Sequence, residues 1–330
     1  MKFALYNIFV LYLFCSCNTD ESIKLNDYNS EIPVVHTLPT FEVTVTKNII
    51  YAQGLSHTSI NSASSTSIPL KLDVYQPNNN ITNRPVYMFI HGGGFIGGSK
   101  QATNITALAN YYSSRGWVFV AIDYRLKDDF GTVPQEWFDY AENIHSTQVA
   151  QYLAIYPAQR DAKAALRWIV ANSNTYNINT NYITVGGSSA GAITAITAGI
   201  SSQDDFKNEL STIQDSSLES TNPQETYTVK TIIDYWGSKV ALDALEEVYG
   251  YQRFSSNMPP IFIAHGTEDT VVLFNSAEQL KTIYDANGVA TAYYPLEGEI
   301  HGPWGTTVNN KKLDELSFEF IVVQQNLIVQ

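Results

Sequence analysis

Apolar residues follow two different patterns along the chain, and together they predict its architecture. Residues 41–45 and 70–74 alternate apolar and polar positions, as strands with one buried face do. Continuous apolar runs, typical of strands covered on both faces, follow at 86–90, 117–122, 182–185, 232–233 and 261–264, with a further extended stretch at 292–295. Helical spacing of apolar positions marks 161–173, 276–287 and 310–325. The pattern predicts an α/β fold with a mostly parallel, doubly wound sheet, an antiparallel N-terminal start and helices on both faces.

The first seventeen residues predict export. Met1-Lys2 is followed by an apolar run over residues 3–14, which is shorter than the roughly 20 residues of a membrane-spanning helix. The run ends in Cys15-Ser16-Cys17 and then acidic residues, and it resembles a bacterial lipoprotein signal with a surface-export motif. The small Ser16 favours lipidation at Cys17, with Cys15 as the alternative.

These features divide the chain into three predicted parts. Residues 1–16 are a signal peptide, the polar stretch over 17–40 is a lipidated tether, and 41–330 is one folded domain. The expected location is the bacterial outer membrane, held by a lipid anchor only and facing the outside.

Composition narrows the function classes. With 44% hydrophobic and 15% charged residues, the 330-residue chain can fold around a large core. A net charge of −13 argues against nucleic acid as a partner. Both cysteines lie in the signal region, so the body has no thiol for disulfides or metal binding. We expect no metal, no organic cofactor and no obligate protein partner.

A glycine-flanked serine follows one predicted strand. Gly187-x-Ser189-x-Gly191 stands between strand 182–185 and a segment rich in Ala and Gly, which fits a nucleophile elbow. The strand-to-helix turn is so tight that side chains two residues before and after the serine would collide with backbone. Gly- and Ser-rich turns are common, so this motif alone does not establish a hydrolase.

A glycine loop follows another predicted strand, in the order His91-Gly92-Gly93-Gly94-Phe95. Bare glycine backbone lets N–H groups approach a tetrahedral oxyanion closely, as acyl transfer requires. The glycines at 92, 94 and 97 also match a dinucleotide fingerprint, with Asp123 as its acidic residue. We reject that alternative because the following residues resemble a loop rather than the start of a helix, and Asp123 is too far along the chain.

A serine nucleophile needs a histidine base and a carboxylate that orients it. Of the six histidines, His301 lies after the last predicted strand, and Asp269 follows the strand at 261–264. Ser189, Asp269 and His301 obey the serine–acid–histidine order of α/β-hydrolases, with Glu268 as the alternative acid. His91 is expected to brace the glycine loop.

Taken together, the motifs resemble the esterase and lipase branch of the α/β-hydrolase fold, in particular hormone-sensitive-lipase-like and feruloyl or acetyl esterase-like members. The resemblance covers roughly residues 67–325 and rests on LDVYQP at 72–77, HGGGF at 91–95, DYRL at 123–126, GSSAG at 187–191, HGTED at 265–269 and HG at 301–302. It implies that Ser189 is the nucleophile, His301 the base and then acid, and Asp269 its orienter. It also implies an oxyanion hole of the backbone N–H groups of Gly93, Gly94 and Ala190.

One segment departs from this resemblance. Residues 127–160 are longer than the usual link and carry aromatic residues at Trp137, Phe138, Tyr140, Tyr152 and Tyr156. They predict either a partial lid or substrate platform, or an ordinary helical insertion packed on the sheet. The residues expected to line a substrate pocket, with core packing as the alternative, are Phe95, Tyr235, Trp236 and Trp304.

The sequence therefore predicts a serine carboxylester hydrolase acting on short-chain or aryl esters, such as acetyl or feruloyl groups on polysaccharide. A prolyl-oligopeptidase-like peptidase is the alternative enzyme. A catalytically silent surface binding module is the alternative from another class.

Overall fold

The computed structural model of the protein describes residues 32–144 and 148–330. The predicted signal peptide, Cys15, Cys17 and the start of the tether lie outside this range, as does His145. None of the helices within it has both the length and the hydropathy needed to cross a lipid bilayer.

The strands and helices alternate along most of the chain. The strands are β1 (Val34–Val35), β2 (Val43–His57), β3 (Ser65–Pro77), β4 (Arg84–Ile90), β5 (Val118–Ile122), β6 (Ile178–Ser188), β7 (Val229–Tyr235), β8 (Ile261–Gly266), β9 (Thr291–Leu296), β10 (Thr307–Val308), β11 (Lys311–Lys312) and β12 (Ile328–Val329). The helices are α1 (Thr103–Ser113), α2 (Gln135–Ile144), α3 (Val149–Ala171), α4 (Ser173–Tyr176), α5 (Ala190–Ile200), α6 (Val240–Tyr249), α7 (Asn275–Ala286) and α8 (Leu313–Gln325), with 3-10 turns at Lys127–Asp129 and Ser216–Ser220.

The central sheet has eight strands in the order β2-β3-β5-β4-β6-β7-β8-β9. Strands β2 and β3 are antiparallel to their neighbours, whereas the strands from β5 to β9 pair in parallel. Side chains of β4 alternate between two cores: Val86 and Met88 face one, and Tyr87 and Phe89 face the other. Helices α1 and α8 cover the second core, and α2, α3, α5, α6 and α7 cover the first. The predicted α/β fold is confirmed.

The predicted tether is wrong for residues 32–40. Strand β1 pairs in parallel with β12, so Val34 and Val35 lie opposite Ile328 and Val329. The side chain of Val35 is fully buried, and the N–H of Thr37 donates to the carbonyl of Gln330 at 2.9 Å. Two-residue strands carry no periodic signal, and their partner lies at the far end of the chain.

Helix α3 is longer than the predicted helix at 161–173. It begins at Val149 and continues through Pro157, within the segment 127–160 that the sequence pattern assigns to an insertion before the helix. Its middle buries charged as well as apolar residues, so the apolar spacing marks only its second half. The predicted helix at 310–325 begins instead at Leu313, because residues 307–312 form the β10–β11 hairpin.

A buried ion pair holds the segment that leads from β5 to the 3-10 turn at Lys127–Asp129. Arg125 donates to both carboxylate oxygens of Asp161 on α3, with Nη2 to Oδ1 at 2.7 Å and Nε to Oδ2 at 3.0 Å. Both side chains are almost fully buried. This two-point contact joins the carboxyl edge of the sheet to α3, and removing one partner would leave a buried charge unpaired.

We predict that Arg125→Met lowers the free energy of unfolding by about 3–5 kcal/mol, because Asp161 would stay buried without its cation. Lys281→Met is the matched control, since it breaks the exposed Lys281–Asp285 pair on α7 and should cost at most about 1 kcal/mol. Urea denaturation of both variants measures the difference. Equal losses of stability would show that the buried pair does not hold this segment.

Candidate active site

Ser189 lies in the sharp turn between β6 and α5. Its backbone has φ 53° and ψ −123°, a sparsely populated conformation for a residue with a side chain. The N–H of Ser189 donates to the carbonyl of Tyr235 at 2.9 Å, which ties the turn to β7. The side chain is only half-buried, so its hydroxyl faces the carboxyl edge of the sheet and remains accessible.

The two glycines of the turn leave no room for a side chain. A Cβ on Gly187 would lie 2.2 Å from the carbonyl of Gly191, and one on Gly191 would lie 2.0 Å from the carbonyl oxygen of Ile90. In both cases the obstacle is backbone, which cannot swing aside. The steric reason inferred for the Gly-x-Ser-x-Gly spacing is therefore present in the structure.

Three residues distant in the chain meet at this turn. The Oγ of Ser189 is 2.9 Å from Nε2 of His301, and Nδ1 of His301 is 2.6 Å from Oδ2 of Asp269. An Nδ1–H that donates to the carboxylate leaves Nε2 with a lone pair, which can accept the serine proton. The structure brings together the three predicted residues, and the arrangement can deprotonate a hydroxyl.

Asp269, and not Glu268, is the carboxylate that reaches His301. Glu268 is exposed, whereas the Asp269 side chain is fully buried. Oδ1 of Asp269 accepts hydrogen bonds from the backbone N–H groups of Val271 and Val272 at 2.8 and 3.0 Å. These donors hold the buried carboxylate in its orientation toward His301. Sequence reasoning missed them because backbone donors carry no residue signature.

His265 is a second histidine beside the same carboxylate. Its Nε2 lies 2.8 Å from the carbonyl of Val272 and 3.3 Å from Oδ2 of Asp269. Burial lowers the pKa of His265, which favours the neutral ring. A proton on Nε2 lets this ring donate to the loop that carries Asp269, so His265 positions the acid rather than replacing His301.

The glycine loop after β4 lies directly beside the nucleophile. A Cβ on Gly92 would lie 2.7 Å from the carbonyl oxygen of Ser188 and 3.2 Å from Cβ of Ser189. Gly93 has φ +123° and Gly94 has φ +63°, conformations that favour glycine. Within the described ranges, the N–H groups of Gly93 and Gly94 donate to no other backbone group. The N–H of Ala190, at the first position of α5, also has no partner inside its helix.

His91 holds this loop in place. Its Nδ1 lies 2.8 Å from the carbonyl of Gly92, and its ring stacks on Tyr124 with the centroids 4.4 Å apart. Burial lowers the pKa of His91, so the neutral ring is favoured here too. The contacts match the predicted bracing role.

The geometry of the glycine loop does not support the rejected interpretation as a dinucleotide site. Helix α1 begins at Thr103, six residues after Gly97, instead of at the glycines. Asp123 is engaged by Lys100, whose Nζ lies 2.7 Å from Oδ2.

Among residues 32–144 and 148–330, no group of three or more His, Cys, Asp or Glu side chains is placed to hold a metal ion.

A cavity of about 320 Å³ opens beside Ser189. Its walls are largely apolar and come from the glycine loop, α3, α5, α6 and the loop after Asp269; they include Phe95, Tyr152, Ile155, Ile193, Val240 and Val272. Exposed apolar side chains stand next to the catalytic positions, namely Ile96, Val271, Leu273 and Ile300. The cavity and its surroundings fit an apolar or aryl group better than a charged one.

Three of the four residues predicted to line the pocket lie elsewhere. Phe95 lines the cavity at Ser189. Tyr235 is fully buried, with its hydroxyl 2.9 Å from Oγ of Ser317. Trp236 is buried under His301, and Trp304 borders a separate cavity with Tyr235. None of the three lines the cavity at Ser189. Tyr235, the last residue of β7, and Trp236 after it pack in the core, which is the stated alternative, and the half-buried Trp304 lies in the loop after β9 and packs against both of them.

The described part of the segment over 127–160 has some side chains in the core and others at the cavity beside Ser189. Trp137 and Tyr156 are fully buried and pack against Phe206, with Trp137 to Phe206 centroids 5.7 Å apart. Tyr152 instead lines the cavity beside Ser189. Gln151, also from this segment, donates from Nε2 to the carbonyl of Gly94 at 3.1 Å. The described helices of the segment, α2 and the first part of α3, thus pack on the core, and α3 forms one wall of the cavity at Ser189.

Comparison with known proteins decides the family. Residues 72–146 and 143–248 match the BD-FAE family, which is more than half of the chain. The chain belongs to the BD-FAE family. Within curated proteins, this BD-FAE member is 25% identical over 239 residues to Esterase LipC of Mycobacterium tuberculosis, a match that covers 66% of the chain and 53% of the relative. The chain thus spans about half the length of that relative.

Two solved structures share the fold of this BD-FAE member. One is a propionate-bound thermophilic esterase, Est2 of Thermogutta terrifontis, with TM-score 0.57 and 21% identity, covering 86% of this chain and 94% of the other. The second is a truncated carbohydrate esterase from gut microbiota, with TM-score 0.58 and 20% identity, covering 90% of this chain and 100% of the other. Both confirm the α/β-hydrolase fold.

We predict that Gly191→Ala lowers the free energy of unfolding by about 1–3 kcal/mol, since the new Cβ would overlap the carbonyl of Ile90. Gly305→Ala is the matched control, because a Cβ there meets nothing within 4 Å. Thermal denaturation followed by circular dichroism compares the two variants. A Gly191→Ala protein as stable as Gly305→Ala would contradict the steric account of the turn.

Proposed function

We propose that the protein is a serine carboxylester hydrolase that works through an acyl-enzyme. The observation that carries this proposal is the continuous hydrogen-bonded series from Ser189 Oγ to His301 and on to Asp269. Membership of the BD-FAE family and the similarity to Esterase LipC support it.

The geometry supplies each step of ester hydrolysis. His301 Nε2 takes the proton as Ser189 Oγ attacks the ester carbonyl, and the resulting imidazolium is stabilised by Asp269. The N–H groups of Gly93, Gly94 and Ala190 donate to the oxyanion of the tetrahedral intermediate. His301 then protonates the leaving alcohol, and the acyl group stays on Ser189. A water deprotonated by His301 releases the acid and restores the hydroxyl.

The preferred substrates are acetyl or feruloyl esters on polysaccharide. The apolar cavity next to Ser189 has room for an aryl acyl group, and Phe95 and Tyr152 offer aromatic surface to it. Similarity to a carbohydrate esterase supports a sugar as the alcohol. Because Ser189 is half-buried and its neighbours Val271, Leu273 and Ile300 are exposed, the alcohol side of the ester would lie in solvent, where a polymer can be accommodated.

We predict that Ser189→Ala abolishes hydrolysis of p-nitrophenyl acetate and methyl ferulate, reducing kcat by at least about 10⁴-fold, because the nucleophile is gone. The matched control is Ser188→Ala, which removes the neighbouring hydroxyl and should keep kcat within about tenfold of the wild type. Circular dichroism checks that both variants are folded. Substantial turnover by folded Ser189→Ala protein would refute the assignment.

We further propose that the protein is exported and anchored by a lipid on Cys17, facing outward from the bacterial outer membrane. The apolar run at 3–14 and the Ser16-Cys17 junction support this. The folded domain begins by residue 32, so about fourteen residues separate Cys17 from it.

We predict that Cys17→Ser abolishes incorporation of alkyne-tagged palmitate when the full chain is expressed in bacteria, and that Cys15→Ser does not. The reason is that only the cysteine after the cleavage site becomes the new N-terminus. Gel fluorescence after click labelling measures the lipid. Labelling that is lost in Cys15→Ser and kept in Cys17→Ser would place the anchor at the other cysteine.

A further inference from the structure

A second cavity lies between α3 and the segment that follows α5. Its volume is about 500 Å³, against about 320 Å³ for the cavity at Ser189. It is lined by Gln53, Arg125 and residues of α3 and of the stretch 206–223, and it shares no lining residue with the cavity at Ser189. Its size falls in the range of small-molecule sites, about 300–1,000 Å³.

One face of α3 carries three buried basic residues. Arg160, Lys163 and Arg167 stand at positions i, i+3 and i+7, and their exposed fractions are 4%, 0% and 4%. Lys163 is satisfied, because its Nζ donates to Ser201 Oγ and to the carbonyls of Ser202 and Asp205. Arg160 and Arg167 border the cavity instead.

Arg167 is buried without a full set of partners. Its Nε donates to the carbonyl of Thr221 at 2.8 Å, but its buried Nη1 has no hydrogen-bond partner among the described residues. No carboxylate in those residues lies within 4 Å of the guanidinium. Burial lowers the pKa of Arg167, and the nearby charge of Arg160 lowers it too. A buried, unpaired guanidinium is costly, and a bound anion would relieve that cost.

Of the other cations at the cavity, Arg125 is paired with Asp161, whereas Arg160 and Lys207 are held by neutral groups. Arg160 donates to the hydroxyl of Tyr156 at 3.1 Å, and Lys207 donates from Nζ to the carbonyl of Pro223 at 2.8 Å. Two carboxylates line the wall, and the first of them, Asp161, is already paired with Arg125. Glu219 also lines the cavity, but it is exposed. Positive charge without a paired carboxylate therefore gathers around this space.

We propose that this cavity binds an organic anion whose carboxylate or phosphate group accepts a hydrogen bond from the guanidinium of Arg167, which lines the space. Guanidinium groups match the geometry of these oxyanions, and Lys207 and Arg160 add positive charge beside them. The apolar side chains of Phe206 and Leu210 line the same space and can contact the carbon skeleton of the ligand. The site does not depend on the activity at Ser189.

Isothermal titration calorimetry on the full chain tests the proposal with inorganic phosphate and D-glucuronate, and with D-glucose as an uncharged ligand of similar size. We expect saturable binding of at least one anion and none of glucose. Tighter binding of glucuronate assigns a sugar acid, and tighter binding of phosphate assigns a phosphorylated ligand. Arg167→Gln should weaken the binding at least about tenfold, because a charged hydrogen bond is lost. Arg115→Gln removes the same charge outside the cavity and should bind as the wild type does.

Lys207→Gln serves as the second variant if Arg167→Gln does not fold, since Lys207 is only half-buried. Lys207→Gln should also weaken binding of the anion. The anion should raise the Tm of the wild type more than that of either variant. The proposal is overturned if neither anion binds saturably at millimolar concentration, which would mean that water alone occupies the site. It is overturned equally if both variants bind the anion as tightly as the wild type.

Discussion

The conformation of Ser189 is the constraint to which the rest of the site is fitted. A side chain at φ 53° and ψ −123° costs on the order of 1–3 kcal/mol, and the turn persists because its surroundings hold it. The hydrogen bond from its N–H to Tyr235, the close approach of Gly191 to Ile90, and the start of α5 all fix that backbone. As a result, the hydroxyl is accessible at the carboxyl edge of the sheet, beside the N–H groups of Gly93 and Gly94, which donate to no other backbone group in the described part of the chain.

Parallel strand order brings the remaining groups to the same edge. The glycine loop follows β4, Asp269 follows β8 and His301 follows β9, so residues far apart in the chain converge on Ser189. Burial of the Asp269 side chain then increases the importance of its hydrogen bonds, because no solvent can replace them. Asp269 has lost its water shell and depends on two backbone N–H groups and on His301, so the carboxylate has little freedom to turn away from the imidazole.

The sequence was sufficient to predict the fold and the proximity of Ser189, Asp269 and His301, each of which follows a predicted strand. The reason is that apolar runs and glycines required by steric contacts are visible in the sequence itself. It could not reveal what depends on long-range packing. Trp236 and Tyr235 follow a strand end like true pocket residues, and only the positions of β7 and α8 show that they are core. The pairing of β1 with β12 and the buried Nη1 of Arg167, which has no partner in the described residues, likewise follow from contacts that residue spacing does not reveal.

The central claim is that Ser189 is an activated nucleophile, and its reaction with a fluorophosphonate probe tests this most directly. Intact mass and peptide mapping of the folded protein should show one covalent adduct, on the peptide that contains Ser189. The same experiment on Asp269→Asn should show much slower labelling, because His301 would lose its orientation. Folded wild-type protein that forms no adduct, or forms it on another residue, would contradict the account.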